Sequence, residues 1–268
     1  ISPLPDDMPI RIVQLSDCHL FESDQGKLLG LNTEFSLGKV LDLIELEQPA
    51  VDIYLATGDL SQDGSAASYQ RFHKHMDRFS EPVYWLPGNH DIIHEMSVEQ
   101  RADECCPMVI EFQGWRIILL DSTVEGSVPG NFAEEQLTFL QGALEQTKGH
   151  HVMVCMHHQP VKVGCPWLDD QIIGNADELF NIMDQFDHVR AIIWGHVHQI
   201  YEAERKGVKL FSIPSTCVQF KPDSEDFAVD DKAPGYRWFD LYPDGSIESV
   251  VSRVEEVEFE VDYTIKGY

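Results

Sequence analysis

The fold class this sequence predicts is α/β, with sheets and helices packed in layers, and three observations predict it. Five short apolar runs each end in a polar cluster: IRIVQL into SDCH, VDIYLAT into GDLSQDG, PVYWL into PGNHD, HVMVCM into HHQP, and VRAIIW into GHVH. Segments with helical spacing separate several of these runs, and two further pairs of runs flank turn residues.

Taken in chain order, each element has its own warrant. The runs at 10–15, 51–57, 82–86, 151–156 and 189–194 are rich in Val, Ile and aromatics, as strands buried on both faces are. Helical spacing covers 34–47, 65–79, 133–147 and 176–186. The third of these places Leu137, Leu140 and Leu144 on one face, and Asn175 or Asp177 is placed to cap the fourth. Gln113-Gly114 lies between two apolar runs, and Pro243-Asp244-Gly245 between RWFDLY and SIESVVSRV, so both read as hairpins. The acidic, turn-rich stretch from Pro222 to Pro234 reads as a loop, and neither an internal repeat nor a low-complexity linker is present.

The 268 residues, 43% of them hydrophobic, suit one large folded domain spanning 1–268. A net charge of -27 argues against nucleic acid or an anionic membrane as partner, because that field repels polyanions. No apolar run approaches the roughly 18 to 20 residues that span a bilayer, and the N-terminus has neither a basic nor an apolar leader-like region. Six scattered cysteines without a C-x-x-C spacing read as free thiols in a reducing compartment. The expectation is a soluble, cytoplasmic protein.

Polar residues at the ends of successive strands form one cluster in space when those strands lie side by side. Here the cluster collects Asp17, His19, Asp59, Asn89, His90, His157, His158, His196 and His198. Imidazole and carboxylate without thiolate suit first-row ions such as Mn, Fe, Co or Zn, and a carboxylate can bridge two of them. The set is too large for a single tetrahedral ion and about right for two sharing a carboxylate.

D-x-H, G-D-L, G-N-H-D, H-H and G-H-x-H, in this order from Asp17 to His198, resemble the signature of the calcineurin-like metallophosphoesterases. LLGLN at 28–32, ATGDLSQD at 56–63, WLPGNHD at 85–91 and PSTCVQFKP at 214–222 further resemble the class III cyclic-nucleotide phosphodiesterases. The resemblance implies a four-layer α/β/β/α sandwich of two packed mixed sheets with helices outside. It implies two metal ions, Fe or Mn foremost, with Zn and Co as other candidates. Asp17, His19, Asp59 and His198 would hold the first and Asp59, Asn89, His157 and His196 the second. His90 would stay off the metals as the catalytic acid, facing a phosphate reached also by His19, Asp59, Asn89 and His198. A hydroxide bridging the ions would attack phosphorus, converting 3',5'-cyclic AMP to 5'-AMP, in a monomer or homodimer.

Where many relatives of that kind carry an acid three residues after the bridging Asp, this chain has Gln62, which leaves Asp63 or Asp91 to orient His90. His158 reads as supporting a ligand, Cys18 and Cys155 as buried thiols, and Trp85, Trp194 and Phe79 as core. Phe220 and Lys221 mark a possible substrate-side loop, or a plain turn. Two rival functions are a broader phosphodiesterase for 2',3'-cyclic nucleotides or other small diesters, and a non-catalytic scaffold on the same fold. Loss of ligands would mark the scaffold, and this chain keeps all seven.

Overall fold

The computed structural model describes residues 8–99, 106–147, 149–255 and 257–267. In chain order the elements are β1 (Ile10–Leu15), β2 (Lys27–Leu28), β3 (Leu31–Asn32), α1 (Thr33–Glu47), β4 (Ile53–Thr57), α2 (Ala66–Met76), β5 (Val83–Leu86) and α3 (Ile93–Glu99). There follow β6 (Met108–Phe112), β7 (Trp115–Leu119), α4 (Glu134–Glu145), β8 (His151–Cys155), α5 (Pro166–Asp169), α6 (Ala176–Met183) and β9 (Val189–Trp194). The chain closes with β10 (Glu202–Arg205), β11 (Val208–Ser212), β12 (Gln219–Phe220), β13 (Val229–Asp230), β14 (Gly235–Leu241) and β15 (Ile247–Arg253).

Two mixed sheets carry the fold, in the orders β15-β14-β1-β4-β5 and β10-β11-β9-β8-β7-β6. In the first, β1, β4 and β5 run parallel; in the second, β7, β8, β9 and β11 do. Side-chain alternation then sorts the core into three slabs. Ile12, Ile53, Leu55, Met153, Cys155, Ala191 and Ile193 meet between the sheets. Val13, Leu15, Tyr54 and Ala56 point the other way, against Leu37, Val40 and Leu41 of α1 and Phe72 of α2. Val152, Val154, Ile192 and Trp194 face Leu140 and Leu144 of α4 and Leu179 of α6. The layers are therefore helix, sheet, sheet, helix, and the parallel strands of each sheet place their carboxyl ends along one edge.

The helices start where local chemistry satisfies their first amides. Asn32 accepts from Phe35 N at 2.7 Å and Ser65 from Ser68 N at 3.3 Å. Asn175 stands at the N-cap of α6 without capping it. Its amide accepts from Phe132 N and donates to Phe132 O, clamping the neighbouring segment, and this corrects the expected cap. The hairpin turns at Gln113-Gly114 and Pro243-Gly245 are as read, while the β10-β11 hairpin escaped notice because its first strand, EAER, is polar and half exposed. α3 escaped notice because Met96 is its one buried residue. Part of the acidic 222–234 stretch forms β13, paired with β12. Trp85 and Trp194 are core residues, and Phe79 packs partly buried on Tyr54 at a ring-centroid distance of 4.5 Å.

Candidate metal centre

Five strand ends supply the cluster. Asp17 and His19 follow β1, Asp59 follows β4, and Asn89 and His90 follow β5. His157 and His158 follow β8, and His196 and His198 follow β9. The first three loops come from one sheet and the last two from the other, so the cluster lies where the carboxyl edges of the two sheets meet. Asp17, His19, Asp59, His157, His158, His196 and His198 are all buried, whereas Asn89 and His90 are partly open.

The loops reach this arrangement through costly backbone. Asp17, His19, Asp59, His196 and His198 all have left-handed φ, from 46° to 62°. For residues other than glycine, each such position costs about 1–3 kcal/mol and persists when its surroundings over-determine it. The surroundings here do so by cross-bracing. Asp17 N donates to Gly58 O and His19 N to Asp59 O, both at 2.9 Å. His196 N donates to the Asp17 carboxylate at 3.1 Å, and His90 N to Asp59 Oδ1 at 2.8 Å. Each carboxylate therefore holds a neighbouring loop through a backbone amide. The approach needs glycine at 195, where a Cβ would stand 2.0 Å from Ser16 Oγ and 2.9 Å from Asp17 Oδ2.

The imidazoles are aimed by their outer nitrogens. His157 Nδ1 donates to Thr57 O and His198 Nδ1 to Val218 O, each at 2.8 Å, which turns both Nε2 atoms inward. His157 Nε2 then lies 3.3 Å from Asp59 Oδ2, and His198 Nε2 lies 3.3 Å from Asp17 Oδ1. His19 Nδ1 donates to Gln62 Oε1 at 2.7 Å, leaving its Nε2 3.2 Å from His198 Nε2. His196 Nε2 donates to Gln171 Oε1 at 2.9 Å, leaving Nδ1 as its ligand atom.

That geometry tests the fit to metal ions. Lone pairs of imidazole nitrogen and carboxylate oxygen converge at contact distance, a repulsive arrangement that a cation between them makes attractive. Buried Asn89 Oδ1 has no hydrogen-bond partner, a cost of about 1–3 kcal/mol that coordination would remove. Overlapping groups of potential ligand atoms, among them Asp17-His19-His198 and Asp17-Asp59-His157, each fall within 4.8 Å. The residues present fit a centre with Asp59 in the middle.

The electrostatics agree. Burial pushes the pKa of His19 down to about 3 against the pull of Asp59. Burial also drives His196 well below its ordinary value, helped by His158 and His157. His157 is the exception: burial opposes its charge, yet Asp59 and Asp17 hold its pKa up at about 9. Asp59 in turn sits well below the usual carboxylate range because His157 outweighs the cost of burial. A positive charge is wanted beside Asp59.

Of the residues singled out in the sequence, Lys221 is exposed and Cys105 lies outside the described residues. Asp17, His19, Asp59, His157, His196 and His198 converge as described, with Asn89 beside them. The His90 ring stands edge-on to His19 at 5.1 Å. His158 has both ring nitrogens spent, Nδ1 on Ser122 Oγ at 2.8 Å and Nε2 on Val128 O at 2.9 Å. Cys18 and Cys155 are buried thiols. Asp91 accepts from Gly88 N, Ser61 N, Leu60 N and Tyr69 Oη, and Asp63 from Glu22 N and Ser65 N, so both organise backbone. Phe220 is buried, stacked on His198 at 4.1 Å and 6° between planes, which removes it from any substrate-side loop. Gln62, Gln171 and Ser122 went unrecognised as partners of these rings, because a lone Gln or Ser far along the chain carries no motif.

The chain belongs to the calcineurin-like phosphoesterases, which it matches over residues 10–200. Membership implies a dinuclear metal site, which the His and Asp groups fit. The chain is 42% identical over 262 residues to the 3',5'-cyclic adenosine monophosphate phosphodiesterase CpdA of Pseudomonas aeruginosa, covering 98% of this chain and 96% of that one. It is 39% identical to CpdA of Escherichia coli K12 over 268 residues, covering 99% and 98%. A dimetal phosphatase from Danio rerio shares the fold, with a TM-score of 0.67 at 16% identity over 93% of this chain and all of that one.

Proposed function

We propose that this protein hydrolyses 3',5'-cyclic AMP to 5'-AMP as a single metallophosphoesterase domain spanning 1–268. The observation that carries the reading is the clustering of buried Asp and His groups about Asp59, joined to near full-length identity of about 40% with phosphodiesterases named for that substrate. Asp17, His19, Asp59 and His198 would hold one ion, and Asp59, Asn89, His157 and His196 the other, with Fe or Mn the proposed occupants and Zn or Co the alternatives. Two such ions supply an activated water as nucleophile and a counter-charge for the phosphoryl oxygens.

The remaining work falls to the chain's own groups. His90 is partly open, and its backbone is fixed by Asp59, so its ring can meet a substrate phosphate without binding an ion. It donates its proton to a phosphoryl oxygen or the leaving 3'-oxygen. Asn89 supplies a neutral ligand, which leaves the second site more positive than a carboxylate would. These local positive charges let a chain of net charge -27 bind an anion. Among the described residues no helix is long and apolar enough to cross a membrane. Cys18, Cys155, Cys165 and Cys217 are buried free thiols, which supports a cytoplasmic setting; the proposed assembly is a monomer or homodimer.

The test is hydrolysis by protein stripped with a chelator and then given Mn or Fe, with the 2',3'-cyclic isomer run in parallel. Restored 5'-AMP formation with little turnover of the isomer is the expected result. Brisk cleavage of the isomer alone would discard the substrate, and silence on every diester would favour a scaffold.

A further inference from the structure

We propose that Gln171 is a positioning residue that sets the tautomer of His196 and thereby decides whether the second ion is held; this rests on the dinuclear reading above. A neutral imidazole carries one proton on one of two nitrogens, and only the bare nitrogen can bind an ion. His196 is buried beside His157 and His158, with ring centroids 5.1 and 4.7 Å away, surroundings that favour the neutral ring. Which nitrogen is bare therefore depends on what the other one meets.

For His157 and His198 the acceptor is a main-chain carbonyl, Thr57 O or Val218 O, which no side-chain replacement removes. For His196 it is the Gln171 side chain, whose Oε1 lies 2.9 Å from Nε2. With that acceptor in place the proton sits on Nε2 and the Nδ1 lone pair is available. Without it, the tautomer bearing a proton on Nδ1 competes, and that proton occupies the direction an ion needs.

Gln171 is carried by a segment whose placement is tightly determined. Its own N donates to Leu168 O at 2.9 Å, and Asp169 accepts from Val163 N at 2.7 Å. Two residues on, Ile173 N donates to Gln159 O at 3.1 Å, returning the loop to the strand end that bears His157. Gly174 N then donates to Gly130 O at 2.9 Å, docking it on the segment before α4. The amide is thus delivered by a loop pinned on three sides, although Gln171 itself is half exposed and adds little to the core. This division of labour predicts that replacing Gln171 affects the ion and spares the fold.

The experiment measures manganese bound per chain, and the affinity of each ion, for the parent, Gln171→Ala and Gln171→Glu, alongside thermal unfolding of the metal-free proteins. The expected result is two ions in the parent and a second ion weakened about 10- to 100-fold in Gln171→Ala, with the first ion and metal-free unfolding unchanged. Gln171→Glu should restore the second ion, since a carboxylate accepts the same proton. Parent-like binding of both ions by Gln171→Ala would overturn the inference alone, as would loss of both ions together or no rescue by glutamate. A parent that binds fewer than two ions would overturn the dinuclear reading and this inference with it.

Discussion

The two edges of the paired sheets use the same unusual backbone for opposite ends. At the amino edge of the parallel strands, Gln113 and Lys206 are left-handed, each followed by a left-handed glycine in a tight hairpin. Gly114 and Gly207 there have nothing within 4 Å of where a Cβ would stand. At the carboxyl edge the left-handed residues are Asp17, His19, Asp59, His196 and His198, and the glycines among them are jammed. A Cβ on Gly88 would meet Asp59 Oδ1 at 2.2 Å, and one on Gly58 would meet His157 Nδ1 at 2.3 Å. Turn chemistry accounts for these two hairpins, whereas Gly245 in the third amino-edge hairpin is crowded, a Cβ there standing 2.6 Å from His151 Cε1. At the carboxyl edge, strain is spent on aiming ligand atoms, and glycine is required for what it lets come near.

The contrast can be broken most forcefully at Gly195. Gly195→Ala should cost about 3 kcal/mol in denaturant unfolding, from overpacking against Ser16 and Asp17, and abolish both bound metal and hydrolysis. Next comes His90, which belongs to the carboxyl edge but not to the ligands: His90→Asn should lower kcat by about 10² to 10⁴ while metal analysis still finds both ions. A variant as fast as the parent would remove His90 from its role. Metal removal sharpens the comparison from the other side. At an ion concentration near 100 Kd each bound ion adds about 2.7 kcal/mol, so chelation should lower Tm by roughly 5–10 °C for each ion removed in a chain of this size, reversibly. Smallest is Gly114→Ala, where left-handed strain without a clash should cost about 1 kcal/mol and leave metal content and activity at parent values.

These differences explain what the sequence made legible. The strand ends were readable because buried runs such as VRAIIW stop abruptly at residues that no core wants, such as Gly195 and His196. Asp and His behind five buried strand runs pointed to metal-binding chemistry by residue type, and their division between two ions came from the family resemblance. The partners of the rings were not readable. Gln62 and Gln171 meet His19 and His196 only after the loops fold back, and a carbonyl such as Val218 O has no signature in any alphabet of side chains. Phe220 could be read from its place in CVQFKP as a substrate-side residue or part of a plain turn, and it stacks beneath His198 because β12 runs under the GHVH loop. Asn175 looked like a cap by its place before α6, but a nearer backbone at Phe132 claimed its amide.

The central claim is that the strained carboxyl-edge loops hold two ions sharing the Asp59 carboxylate. Diffraction from manganese-loaded crystals, with anomalous differences collected at the manganese edge, tests it directly. The account predicts two peaks about 3.5–4 Å apart, one reached by Asp17, His19 and His198, the other by Asn89, His157 and His196, with Asp59 between them. A single peak, or a pair lying away from Asp59, would contradict it.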